Sequence, residues 1–123
     1  MEINISEAKQ KEITSFFYRI LIPRPIAWVS TRSKDGIDNL APFSFYGGVA
    51  ANPPIVSLGI GRRAGKHKDT SQNLLDTKEC VINLTSVELS EKMVKTSAEL
   101  PPEVDEFEIA GLEKINSIDV IQS

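Results

Sequence analysis

Between residues 23 and 60 the chain is cut by Pro23, Pro25, Pro42, Pro53 and Pro54 and by the pair Asp35-Gly36, leaving apolar runs of strand length only. Proline fixes φ, lacks an amide donor and pushes the residue before it out of the helical region, so this stretch reads as strands and turns. Ile26 to Thr31 is apolar and rich in β-branched residues, which suits a buried strand. Ser33-Lys34-Asp35-Gly36 is a turn signal, with the Asp-Gly pair supplying the positive φ of a tight hairpin. Ile37 to Phe45 is the expected returning strand, with Pro42 marking an edge or a bulge. Asn52-Pro53-Pro54 is a rigid corner leading into a third strand, Ile55 to Ile60.

Helical signals flank this region. Ser6 to Ile20 carries Ile13, Phe16, Phe17 and Ile20 three to four residues apart, with Ser6 as a candidate cap. A basic loop, Gly61 to Lys68, leads to a short helix through about Thr77 that Asp69 or Thr70 can cap. Cys80 to Leu84 reads as a fourth strand and Val87 to Ala98 as a helix. An acidic loop then runs from Pro101-Pro102 to Phe107, and a further strand is expected over Ile115 to Ile121. Short strands opening with a hairpin, plus a few helices, predict a mainly β fold: an antiparallel barrel with helical additions.

Composition narrows the function. A chain of 123 residues supports one domain, residues 1–123, and buries a core without disulfides or a structural metal. With 14 Lys+Arg against 17 Asp+Glu and a net charge of −3, it lacks the basic balance of a nucleic-acid binder. The single cysteine excludes an intramolecular disulfide and a Cys-rich zinc framework. No apolar run approaches the ~20 residues of a membrane span, and Met1 to Lys11 is too polar for a signal peptide. The expectation is a soluble, cytoplasmic protein in a reducing compartment, with no membrane or nucleic-acid partner.

Two glycine patterns in the basic loop are decoys. Gly61 to Lys66 is one residue short of a Walker phosphate loop, and His67 stands where Ser or Thr would hold magnesium. Gly59-Ile60-Gly61-Arg62-Arg63-Ala64 fits the dinucleotide fingerprint, but Gly65 and the charged run delay the helix that motif must open. Lys68-Asp69-Thr70 offers a cation and a hydroxyl at a helix start, which can hold an anion; local sequence alone favours an ordinary cap. His67 reads as exposed, Cys80 and Trp28 as packed inside, and Glu103, Asp105, Glu106 and Glu108 as a solvated acidic loop.

Several segments, in order, resemble the flavin reductase-like domain family, nearest its flavoredoxin-like branch. They are Pro23-Arg24-Pro25-Ile26-Ala27-Trp28-Val29-Ser30-Thr31, Asn39 to Phe45, and Asn52-Pro53-Pro54-Ile55-Val56. Lys68-Asp69-Thr70 with Asn73-Leu74, Cys80 to Leu84, and Asp105-Glu106-Phe107 with Gly111-Leu112 continue the pattern. Each piece alone is short and permissive; their order is what makes the match specific.

The resemblance implies an FMN-binding split β-barrel, as a homodimer with flavin near the subunit interface. It implies that Ser30, Thr31, Ala41, Pro42, Phe43, Ser44 and Phe45 line the isoalloxazine and ribityl chain. Ile60, Gly61, Arg62, Lys68, Asp69 and Thr70 would hold the phosphate, which reverses the cap reading of Lys68 and Thr70. Family members continue with further strands, so the expectation includes a barrel lacking its C-terminal strands. The implied activity passes hydride from a reduced nicotinamide, NADH or NADPH, to flavin. The rival expectations are a non-enzymatic FMN carrier serving a redox partner protein, and a flavin-free assembly domain. No side chain is assigned a catalytic role.

Overall fold

The computed structural model describes residues 4–120. Helix α1 spans Gln10–Ile20, then strands β1 (Ala27–Arg32), β2 (Asp38–Phe43), β3 (Tyr46–Ala51) and β4 (Pro54–Leu58) follow. Helix α2 (Asp69–Thr77), strand β5 (Val81–Asn83), a 3-10 turn (Val87–Leu89), α3 (Ser90–Lys95) and α4 (Glu106–Ala110) complete it. One antiparallel sheet has the order β2-β1-β5, and β3 with β4 forms a separate hairpin.

The Asp35-Gly36 signal makes the turn it predicts. Gly36 has φ of 86°, its amide donates to Ser33 O at 2.9 Å, and Ala27 to Arg32 then pair with Phe43 to Asp38. β1 is the middle strand and is buried almost throughout, while Pro42 is tolerated because β2 is an edge strand. Alternation divides the sheet into two faces. Ala27, Val29 and Phe43 face the β3–β4 side with Tyr46, Leu58 and Ile82. Trp28 and Leu40 face the other side, packed with Phe107, Met93 and Leu89. The sheet thus lies between the hairpin and the pair α3 and α4.

Four expectations are corrected. The returning strand ends at Phe43, short of Phe45, and a new strand begins at Tyr46, with Gly47 and Gly48 pairing with β4. Helix α1 starts at Gln10 with Lys9 at the cap, whose amide donates to Glu12 Oε2 at 3.0 Å; Ser6 donates only to Asn4. The acidic stretch holds α4, because Asp105 accepts from the Phe107 amide at 2.9 Å and Gly111, at φ 62°, ends it. Residues 115–120 form no strand, and Ile115 and Ile118 are 83% and 97% exposed; Ile121 lies outside the described residues.

Candidate functional site

A cavity of about 430 Å³ opens between β2, the start of α2 and the segment after α3. Its apolar wall is Ala41, Pro42 and Phe43, and its polar wall includes Lys66, Lys68 and Thr70. The volume falls within the roughly 300–1,000 Å³ of small-molecule sites.

The basic rim is shaped by a tight turn. The Arg63 amide donates to Lys66 O and the Lys66 amide to Arg63 O, both at 2.9 Å, with Ala64 and Gly65 at φ 47° and 76°. Two successive positive φ values are the signature of a type I′ turn, and they bring Arg63 and Lys66 together at the mouth. Arg63 also meets Glu99 at 3.0 Å. Gly59, part of the dinucleotide decoy, serves packing instead. Its amide donates to Phe45 O at 2.7 Å, and a Cβ there would lie 3.0 Å from Phe45 Cβ.

Lys68 occupies the N-cap position of α2, and no side chain caps that helix. The first-turn amides therefore point out without a side-chain acceptor, the arrangement that binds anions. Lys68 extends across the cavity, with Nζ 5.7 Å from the centre of the Phe43 ring. Thr70 is not the cap that local sequence allowed. It is 1% exposed, and Oγ1 donates to Asn39 Oδ1 at 2.7 Å. His67 Nδ1 lies 3.0 Å from Ser71 Oγ in the same turn, exposed as expected.

Of the residues that the resemblance singled out, Ala41, Pro42, Phe43, Lys68, Asp69 and Thr70 meet in this one cavity. Ser44 and Phe45 line a different one of about 720 Å³, beside Arg24, whose guanidinium sits over the Tyr18 and Phe45 rings. Ser30 and Thr31 line neither; both are 1% exposed, with Ser30 Oγ accepting from Asn83 Nδ2 and Thr31 Oγ1 from Asn73 Nδ2. Ile60 packs on the hairpin-side core, and Gly61 and Arg62 are exposed. Trp28 is buried and donates to Thr96 Oγ1, and burial raises the pKa of the Cys80 thiol, so both have the packing role read from sequence.

Sequence reasoning did not single out Asn39, Thr96 or Glu106 for this cavity, though all three line it. Glu106 is 5% exposed, not part of a solvated acidic loop. Burial raises its pKa, and the charge of Asp69 adds to the rise. The Asp105-to-Gly111 spacing, a helix cap followed by a terminating glycine, was the available signal for placing it.

The apolar wall, the basic rim and the uncapped helix start suit a planar ligand that ends in a phosphate. The family model for the flavin reductase like domain matches residues 17–121. An uncharacterized protein of Aquifex aeolicus is 48% identical over 113 residues, which is 91% of this chain and 58% of that one. The structure resembles nitrilotriacetate monooxygenase component B from Bacillus cereus, with a TM-score of 0.94 and 35% identity over 100% of this chain and 61% of that one. Flavoredoxin of Desulfovibrio vulgaris shares the fold, with a TM-score of 0.74 and 17% identity over 99% of this chain and 59% of that one. This chain therefore spans about three-fifths of each of these three proteins. The expected mainly β, split-barrel fold stands. Among the described residues no helix is long and apolar enough to cross a membrane. With the family model covering residues 17–121, the chain belongs to the flavin reductase like domain family.

Proposed function

We propose that the cavity between β2 and α2 binds FMN, and that the protein is an oxidoreductase drawing hydride from NADH or NADPH. The observation that carries this is the meeting of Ala41-Pro42-Phe43 with Lys68 and the uncapped start of α2 in one cavity. The flavin supplies the chemistry: it accepts a hydride and passes reducing equivalents to an acceptor.

The chain's own residues bind and orient. Ala41 to Phe43 form an apolar wall that excludes water from one side of the ligand. Lys68 and the first-turn amides of α2 give a cation and aligned donors for a terminal phosphate. Ser30 and Thr31 support this from within the sheet, since their hydroxyls are bonded to Asn83 and Asn73.

Similarity to a monooxygenase component supports a protein acceptor as the partner. A second copy of the chain is the further partner we infer, because Ile22 and Val49 are 67% and 64% exposed. The single cysteine accords with a cytoplasmic setting.

The test is anaerobic addition of NADH or NADPH to the FMN-loaded protein. Bleaching of the flavin band with nicotinamide oxidation is expected. Bound flavin that neither nicotinamide bleaches would overturn the enzymatic reading and favour the carrier.

A further inference from the structure

A continuous chain of buried hydrogen bonds joins α4, β2 and α2 in the lining of the cavity. Glu106, on α4, uses both carboxylate oxygens: Oε1 accepts from Asn39 Nδ2 at 2.9 Å and Oε2 from the Leu40 amide at 3.2 Å. Asn39 Oδ1 then accepts from Thr70 Oγ1 at 2.7 Å and from Thr31 Oγ1 at 3.4 Å. Thr31 Oγ1 in turn accepts from Asn73 Nδ2 at 3.0 Å. Thr70 and Asn73 both lie on α2 and are 1% and 7% exposed. The helix is thus fastened to β2 by groups that end at a carboxylate on α4.

The direction of these bonds is fixed from the Glu106 end. An ionised carboxylate only accepts, so Asn39 must present its NH2 to Glu106 and its carbonyl to Thr70. That choice commits the Thr70 hydroxyl to β2, while the N-cap position of α2 is held by Lys68, which offers no side-chain acceptor. Burial opposes the ionised form of Glu106, whereas the Leu40 and Asn39 donors favour it. A buried carboxylate held by two donors is costly unless both bonds are kept.

We propose that Glu106 is the positioning residue for the phosphate end of the site, holding Lys68 and the α2 amides in place through Asn39 and Thr70. This rests on the FMN reading given above. A carboxylate repels a phosphate and does not hold one, so the effect of Glu106 passes through Asn39.

The test uses the whole chain, with FMN and riboflavin as probes and melting without flavin as a control. Glu106→Gln offers one acceptor and one donor, so either an N–H group faces a donor or the Asn39 amide turns over and no longer accepts from the Thr70 hydroxyl. FMN affinity is expected to fall about tenfold while riboflavin affinity stays within about twofold, the loss being that of one positioned hydrogen bond. The double variant Asn39→Asp with Glu106→Gln reverses the bond. The new carboxylate at position 39 accepts from both the new side-chain amide at position 106 and the Thr70 hydroxyl. The carbonyl of that side-chain amide still accepts from the Leu40 backbone. This double variant is expected to recover FMN affinity to within about threefold of wild type.

Equal losses for FMN and riboflavin in the single variant would overturn the proposal. So would unchanged FMN affinity there, or a double variant that melts like wild type yet binds FMN no better than the single one. If Glu106→Gln fails to fold, the double variant alone decides, by the same FMN-to-riboflavin ratio. A wild-type chain with no preference for FMN over riboflavin overturns the phosphate-site reading, and this proposal with it.

Discussion

The indole Nε1 of Trp28 donates to Thr96 Oγ1 at 2.9 Å, tying the central strand to the end of α3 across 68 positions of sequence. Thr96 Oγ1 donates in turn to Met93 O at 2.7 Å, so one hydroxyl serves both groups. Thr96→Val would leave a buried indole N–H without an acceptor. Chemical denaturation should show a loss of about 1–3 kcal/mol, the cost of an unsatisfied buried donor. Unchanged stability would mean that this bond contributes nothing to holding α3 on the sheet.

Asp38 should set the acid side of the stability profile. Burial is the largest influence on its carboxyl and opposes ionisation, but hydrogen bonds and charge from Arg32 and Lys114 together outweigh it and lower the pKa. A folded pKa below the unfolded one contributes stability above the ordinary value of 3.8, lost as pH falls through the lower folded value. Asp38→Asn should therefore flatten the loss of stability below pH 3.8, measured by melting across pH. A variant whose acid limb matches wild type would place that limb elsewhere. Glu106 has the opposite sign: its raised pKa favours the fold below the ordinary 4.5, an advantage lost as pH rises through the folded value.

Gly111 ends α4 at φ 62°, where the Leu112 amide reaches back to Phe107 O at 2.9 Å. An L side chain at that angle is strained, so Gly111→Ala should cost about 1 kcal/mol. Nothing lies within 4 Å of the added Cβ, so a much larger loss would point to something other than backbone conformation.

Much of this architecture was legible because local chemistry decided it. Asp35-Gly36 left one inexpensive way to turn, and Pro42 marked β2 as the edge strand it is. β3 was not legible, because Gly47-Gly48 carries no strand pattern and the segment is held by pairing with β4. α4 has only five residues, too few to show a periodicity, so its cap and its glycine were the only marks. In the site, Lys68 at the start of α2 was readable from the helix boundary. The partner of the Thr70 hydroxyl was not. A threonine near a helix start looks like a cap until the fold sets Asn39 beside it, 31 positions away.

Lys68 should matter for ligand affinity more than for folding. Lys68→Ala removes a cation beside the α2 amides, and FMN affinity should fall by about ten- to a hundredfold, the range for a charge-assisted contact. Its stacking on Phe43 is worth only about 0.5–1 kcal/mol, so melting without flavin should shift little. Loss of stability with FMN affinity intact would make this turn structural and put the phosphate elsewhere.

Exposed apolar residues at the end of α1 and on the β3–β4 hairpin, Ile22 and Val49 among them, predict self-association. Sedimentation at micromolar concentration should show two chains per particle. A well-folded monomer there would refute the inferred pairing.

The central claim is that the cavity between β2 and α2 recognises flavin by its phosphate. Titration of the wild-type chain with FMN and with riboflavin, followed by quenching of flavin fluorescence, tests it most directly. FMN should bind at least about tenfold more tightly, because only it reaches Lys68 and the α2 amides with a charge. Equal affinity for the two, or quenching by neither, would contradict the account.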